Sequence, residues 1–111
     1  VITTAGNMPA RYVIHTVGPV FSAAGEQAAD LLSACYRNSL SLAVQHNLST
    51  IAFPAISTGI YGYPREEAAA VASQSIADFL ATDSSLNQVF RVRLVFFAPQ
   101  DARVFLTHQT F

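Results

Sequence analysis

Residues 51–64 read Ile-Ala-Phe-Pro-Ala-Ile-Ser-Thr-Gly-Ile-Tyr-Gly-Tyr-Pro. The first six form an apolar run that is too short for a helix, which predicts a buried strand over 51–56. Two hydroxyl side chains and two glycines follow, and Pro64 with two acids behind it then opens the next segment as a helix N-terminus does. The stretch therefore predicts a strand, a glycine loop and a helix in direct succession.

This predicted loop has the features of an anion site. In open α/β sheets such a junction lies at the carboxyl end of a strand, where backbone N–H groups and the positive end of a helix favour anions. Gly59 and Gly62 let the backbone approach a phosphate without a Cβ, and Ser57 and Thr58 add hydroxyl donors. The alternative is a plain connection whose glycines serve the turn, and the spacing alone leaves both open.

The composition of the chain narrows the range of functions and partners to be expected. With 111 residues, 51% hydrophobic and 12% charged, the chain has material for one core and is expected to form a single domain over 1–111. The net charge of −1 and six basic residues that form no run disfavour nucleic acid and anionic membranes as partners. No segment approaches the ~20 apolar residues of a membrane span, and the start does not resemble a secretion signal, so we expect a cytoplasmic location.

The remaining segments alternate between strand and helix patterns. Strands are predicted over 1–4, over 11–17 with both faces buried, and over 89–97; helices are predicted over 26–46, over 64–82 and from Pro99 to the last residue. The order ββαβαβα predicts an α/β fold with a largely parallel sheet and helices on its faces. Ligands would then gather where three loops meet, at 18–19, 57–62 and 97–98.

The individual residues whose side chains could take part in a reaction have simple structural interpretations. His15 lies in an apolar strand, where a histidine is more often a satisfied core residue than a catalytic one. Cys35 is the single cysteine and is expected to be a buried thiol. His46 and Asn47 suit the C-terminal end of the first long helix. The apolar face expected for that helix comprises Ala28, Leu31, Leu32, Cys35, Leu42 and Ala43.

Three stretches carry a family resemblance. Residues 7–19 read Asn-Met-Pro-Ala-Arg-Tyr-Val-Ile-His-Thr-Val-Gly-Pro, residues 35–40 read Cys-Tyr-Arg-Asn-Ser-Leu, and the third is 51–64. In this order they resemble macro domains, specifically the branch of O-acetyl-ADP-ribose deacetylases and mono-ADP-ribosyl hydrolases. The resemblance covers nearly the whole chain and implies a three-layer α/β/α fold with a mixed, largely parallel sheet.

The resemblance also implies a ligand and its contacts. The ligand is ADP-ribose or O-acetyl-ADP-ribose, free or on an ADP-ribosylated protein, and no metal or organic cofactor is implied. The loop that wraps the diphosphate and the terminal ribose corresponds to Ser57, Thr58, Gly59, Ile60, Tyr61 and Gly62, with Tyr61 beside the ribose. Phe97 matches the aromatic near the adenine and its ribose, with a core aromatic as the alternative.

The chain departs from the family pattern at its start. It begins at Val1, where macro domains have already formed two strands and a loop with an Asn-Ala-Ala-Asn element, a glycine run and an acid, so we expect an N-terminally truncated domain. In the family that segment supplies the groups that orient the attacking water. No substitute is evident among the carboxylates, which lie on predicted helices or their flanks: Glu26, Asp30, Glu66, Glu67, Asp78, Asp83 and Asp101.

Two expectations follow from this departure. The first is an ADP-ribose-binding domain with impaired catalysis, to which no catalytic residue is assigned. The alternative is a non-catalytic interaction module that keeps the scaffold. In the family a strand separates the 11–17 strand from the 51–56 strand, and exposed strand edges recruit partners. These two strands are therefore expected either to pair directly or to bring two copies together as a homo-oligomer.

Overall fold

The elements follow the predicted order with one addition. A computed structural model of the chain describes residues 2–7, 10–48, 50–54, 56, 62–82, 91–95, 103 and 107. The elements are β1 (Ile2–Thr4), β2 (Tyr12–Ile14), α1 (Phe21–Ala24), a 3-10 turn (Gly25–Gln27), α2 (Ala28–Gln45), β3 (Thr50–Pro54), α3 (Arg65–Thr82) and β4 (Arg91–Val95). The short α1 lies before the helix predicted over 26–46, where no element was predicted. Of the predicted last helix, Arg103 and Thr107 are helical, and its other residues lie outside the described part.

The strands form two pairs. β1 and β2 are antiparallel, with Ile2 opposite Ile14 and Thr4 opposite Tyr12. β3 and β4 are parallel, in register from the Thr50–Arg91 pair onward, and α3 lies between them in the chain. A parallel pair joined through a helix is the unit that the alternating pattern predicts. The predicted α/β fold, with antiparallel and parallel pairing, is confirmed.

A groove of about 1170 Å³ lies between the two strand pairs, lined by residues 10–18 on one side and 50–54 on the other. Within the described residues β2 pairs with β1 and β3 pairs with β4, so the hypothesis that the 11–17 and 51–56 strands pair directly is wrong. His46, the residue after α2, meets the ring of Tyr12 at 5.2 Å, while Tyr36 of α2 meets Phe53 at 5.0 Å. These two contacts are ten residues apart, which is about 15 Å along a helix. Paired strands lie only about 4.8 Å apart.

The groove also explains two wrong predictions about the 11–17 segment. Regular strand structure is confined to Tyr12–Ile14, and this segment is not buried on both faces, because it borders the groove: Val17 is 81% exposed. His15 is an exposed side chain and not a core residue. Its Nε2 atom lies 2.9 Å from the Thr3 hydroxyl of β1, so this histidine forms a hydrogen bond between the two strands of the antiparallel pair.

The core lies between α2, α3 and β3. Leu32, Leu40 and Ile76 are fully buried there. α3 contributes one face to this core, since Ala68, Ala72 and Ile76 are buried and Val71, Phe79 and Leu80 pack against it. Leu31 was wrongly placed on the buried face of α2 and is 44% exposed. At about 100° per residue, it lies about a quarter turn from the centre of the buried face.

The ends of the long helices conform to the sequence pattern. α2 closes with Asn47 at φ 56, as expected for a left-handed residue after a helix. The Leu48 N–H donates to the Ala43 carbonyl at 2.9 Å, and the Asn47 N–H donates to the Val44 carbonyl at 3.0 Å, which is the Schellman arrangement. At the start of α3, the Pro64 carbonyl accepts the first helical hydrogen bond. The direction of the chain into and out of 48–64 is therefore fixed at both ends.

Candidate functional site

The candidate site is the connection between β3 and α3. β3 ends at Pro54 and α3 begins at Arg65. Of the predicted ligand contacts in this connection, Gly62 is described, whereas the contacts assigned to Phe97 and to Ser57, Thr58, Gly59, Ile60 and Tyr61 lie outside the described residues. The geometry of the site is therefore given by the residues that hold the two ends of the loop.

Tyr36 holds the entrance of the loop. This α2 residue is buried, and its ring packs on Phe53 of β3 with 5.0 Å between centroids and 56° between planes. A hydrogen bond also links Tyr36 with the backbone of Ile56, two residues beyond the end of β3. The chain is thus tied to α2 immediately before the loop begins.

Tyr63 holds the exit. It is 4% exposed and packs against Phe21 of α1, with 4.9 Å between ring centroids. Its neighbour Gly62 has φ 74, a left-handed conformation, and a Cβ there would have nothing within 4 Å. The absence of a Cβ at Gly62 therefore serves the backbone conformation and does not relieve crowding. The turn from the loop into α3 depends on this glycine.

The Phe21–Tyr63 contact also joins two of the three loops predicted to meet at the sheet edge. Phe21 follows Gly18 and Pro19 closely, so the end of the β2 segment lies beside the exit of the glycine loop. Cys35 secures the same segment, since its buried thiol donates a 3.3 Å hydrogen bond to the Val17 carbonyl. The buried thiol was predicted correctly. The third loop, 97–98, lies outside the described residues.

Sequence comparison identifies the fold family. The sequence profile described as "Macro domain" matches residues 1–72. The chain belongs to the macro domain family. This confirms the resemblance drawn from the three sequence stretches.

Named relatives agree with this assignment. A macro domain-containing protein of Chlorobaculum tepidum is 52% identical over 79% of this chain and 51% of its own length. A Klebsiella pneumoniae protein named O-acetyl-ADP-ribose deacetylase is 48% identical over 95% of this chain and 58% of its own length. The macro domain chain thus spans about half the length of the curated relatives it matches.

Solved structures share the backbone as well. A mutant Oceanobacillus iheyensis macrodomain with ADPR is 42% identical, with a TM-score of 0.89, over 97% of this chain and 56% of that one. A Trypanosoma brucei macrodomain in complex with ADP-ribose is 36% identical, with a TM-score of 0.81, over 96% of this chain and 43% of that one. The three-layer macro-domain fold predicted for the chain is confirmed by these similarities.

Two tyrosines beside the loop are kept neutral. Burial raises the pKa of Tyr36 from 10.0 to about 12, although the Ile56 backbone hydrogen bond acts in the opposite direction. Burial, and then the negative charge of Glu67, raise the pKa of Tyr63. Both side chains therefore act at neutral pH as packing and hydrogen-bonding groups.

The first turn of α3 already carries Glu66 and Glu67, both exposed. Their charges complement the positive end of the helix, as predicted. An anion at the preceding loop would consequently depend on the loop N–H groups more than on the helix dipole. Among the residues that the structure describes, no group of three His, Cys, Asp or Glu side chains could hold a metal ion, and no helix is long and apolar enough to cross a membrane.

Sequence reasoning did not assign Phe21, Tyr36 or Tyr63 to the site. Tyr36 and Tyr63 lie within quoted stretches and Phe21 lies two residues after one, but their pairing joins segments far apart in the chain. A buried aromatic on either side of a glycine loop is a signal that could have been used, since such loops need fixed ends.

The buried phenol predicts an alkaline loss of stability. Below about pH 10 Tyr36 is neutral in both the folded and the unfolded chain; above it the unfolded chain ionises first, whereas the folded chain keeps the proton until about 12. We expect this residue to lower the free energy of unfolding by about 2–3 kcal/mol as the pH rises through that window. Urea unfolding at several pH values measures it. Tyr36→Phe is the control and should show a shallower decline; equal declines would contradict the assignment.

Proposed function

We propose that the protein binds ADP-ribose, with the diphosphate and terminal ribose held by the loop Ser57 to Gly62 and the adenosine beside Phe97. Membership of the macro domain family supports this, as do relatives solved with ADPR and with ADP-ribose. The diphosphate would be bound by backbone N–H groups and the Ser57 and Thr58 hydroxyls, which suits a dianion without requiring a cation.

The observation that carries the proposal is the way the ends of the loop are held. Tyr36 fixes the entrance through Phe53 and Ile56, and the Phe21–Tyr63 pair fixes the exit. A loop with fixed ends loses less conformational freedom when it closes on a ligand, so more of the interaction energy remains as affinity.

For this chain we propose binding without efficient hydrolysis. Hydrolysis of an acyl or glycosidic bond needs a polar group that orients a water against the reacting carbon. The described carboxylates lie on the helices or on the 3-10 turn: Glu26, Asp30, Glu66, Glu67 and Asp78. The relatives named O-acetyl-ADP-ribose deacetylase are about twice as long as the matched region, and the groups that orient water are proposed to belong to their additional part.

Free ADP-ribose, O-acetyl-ADP-ribose and ADP-ribosylated protein would all present the same diphosphate to the loop.

Calorimetric titration with ADP-ribose tests the proposal. We expect one site per chain, with AMP, which lacks the second phosphate and the terminal ribose, binding at least about tenfold more weakly. Incubation with O-acetyl-ADP-ribose, followed by detection of released acetate, is expected to give a rate near that of buffer. The absence of both binding heat and a thermal shift at millimolar ADP-ribose would reject the proposed binding. Rapid release of acetate would reject the proposal that catalysis is impaired.

A further inference from the structure

The two ends of the loop between β3 and α3 are held by different elements. At the entrance, Tyr36 of α2 is hydrogen-bonded to the backbone of Ile56. At the exit, Phe21 of α1 packs on Tyr63, with 4.9 Å between ring centroids and 59° between planes. A substitution in α1 therefore loosens the exit and leaves the hydrogen bond at the entrance in place.

The ring of Phe21 is presented to the loop from a fixed position. α1 is a single helical turn, which has little stability of its own. The Phe21 carbonyl accepts a hydrogen bond from the N–H of Gly25, whose φ of 59 favours glycine. Pro19, just before α1, is buried, and the half-buried ring of Phe21 packs against the core. These contacts stabilise the turn that carries Phe21.

Tyr63 transmits this position to the exit of the loop. It is 4% exposed and directly follows Gly62, whose φ of 74 depends on the absence of a Cβ. On its other side Pro64 accepts the hydrogen bond from the Ala68 N–H that begins α3. Removal of the Phe21 ring would leave a cavity beside Tyr63, into which neighbouring groups relax in part. The backbone at Gly62 would then be less closely fixed.

The order of the chain couples each end of the loop to a different part of the proposed ligand. Ser57 directly follows Ile56, whereas Tyr61 directly precedes Gly62. The proposed function assigns Ser57 to the diphosphate and Tyr61 to the terminal ribose. Every residue adds two soft backbone dihedrals, so the effect of loosening one end is largest at the adjacent residues. Loss of the Phe21 ring should therefore affect Tyr61 more than Ser57.

We propose that Phe21 positions the half of the loop that binds the terminal ribose, and thereby sets the preference of the site for ADP-ribose over ADP. This inference rests on the proposed function and adds to it a residue that determines specificity. Phe21 is a positioning residue, because it acts through Tyr63. ADP has the adenosine and both phosphates but lacks the terminal ribose, so the two ligands separate the two halves of the loop.

Calorimetric titration of Phe21→Ala with both ligands tests the proposal. We expect the affinity for ADP-ribose to fall by about tenfold and that for ADP by less than about threefold, because a loosened loop end keeps less of the interaction energy as affinity. The preference for ADP-ribose then falls by at least about threefold. Phe21→Tyr keeps the ring and should restore most of the lost affinity for ADP-ribose.

Tyr36→Phe provides the contrast at the entrance. It removes the hydroxyl that binds the Ile56 backbone but keeps the ring that packs on Phe53. Both ligands share the diphosphate, which is bound next to this end in the proposed complex. We therefore expect Tyr36→Phe to weaken ADP and ADP-ribose by similar factors and to leave the preference between them unchanged.

Phe79→Ala is the matched control for a general loss of packing. Phe79 is also a half-buried phenylalanine that packs against the core, but it lies in the last turns of α3, about 20 Å along the helix from Arg65. Its truncation should lower the stability of the fold and leave the preference for ADP-ribose over ADP unchanged. Circular dichroism verifies that every variant is folded at the temperature of the titration.

Two results would overturn the inference alone. The first is an unaltered preference in Phe21→Ala while the unchanged protein binds ADP-ribose. The second is an equal loss of preference in Phe79→Ala, which would assign the effect to general packing. A failure of the unchanged protein to bind ADP-ribose would reject the proposed function, and this inference with it.

Discussion

Gly59→Glu is expected to abolish measurable ADP-ribose binding. In the proposed complex the backbone at this position approaches the diphosphate, and the substitution adds both a side chain and a negative charge there. Like charges brought together at a binding site cost several kcal/mol, which corresponds to a loss of at least about a hundredfold in affinity. Calorimetric titration of the variant alongside the unchanged protein measures the difference.

Ala29→Glu is the charge-matched control, because Ala29 is exposed on α2 and a glutamate is well tolerated in a helix. It should bind ADP-ribose like the unchanged protein. If Gly59→Glu also bound ADP-ribose normally, the diphosphate would not lie at this loop and the proposed site would be wrong, although the binding itself would stand.

Leu40→Ala is expected to remove about 2–5 kcal/mol from the free energy of unfolding. Leu40 has no exposed surface and belongs to the core cluster shared by α2, β3 and α3. Its truncation removes apolar contacts and leaves a cavity that the surrounding core fills only in part by relaxing. Urea unfolding followed by circular dichroism measures the change.

Leu31→Ala makes the same chemical change nine positions earlier in the same helix, but on a side chain that is 44% exposed. We expect a loss below about 1 kcal/mol, since little buried surface is removed and no cavity forms. Equal losses from the two substitutions would show that burial in the core does not determine their effects, contrary to the structure.

The sequence predicted best those elements whose residues interact locally. The two long helices and the strand that ends at Pro54 follow from apolar spacing, and the reversal at Asn47 follows from its tolerance of a left-handed conformation. The predictions that failed concern β2, where exposure is decided by a groove between segments distant in sequence. Periodicity cannot show that a hydrophobic residue such as Val17 borders an open space.

The candidate site shows the same contrast between features that depend on local sequence and features that depend on contacts between distant segments. The glycine loop was predicted from its composition and from the macro-domain resemblance, and the ligand contacts assigned to Ser57 through Gly62 and to Phe97 stay predictions. The aromatic residues that hold the loop were not found, because Tyr36 meets Phe53 and Phe21 meets Tyr63 only after the chain has folded. Pairings of this kind depend on packing between elements, which a single sequence does not display.

The antiparallel β1–β2 pair has a weaker attachment than the rest of the fold. None of the described residues of these two strands belongs to the core cluster. Among the described residues, the contacts of this segment with α2 and the residue after it include the Tyr12–His46 ring contact and, beyond the strand, the hydrogen bond from Cys35 to the Val17 carbonyl. Since segments with few buried apolar contacts open at a lower free energy than the core, we expect the backbone amides of this pair to exchange with solvent faster than those of α2 and α3. Local opening of the β1–β2 pair is therefore expected to expose the interior beside β3 without global unfolding of the chain.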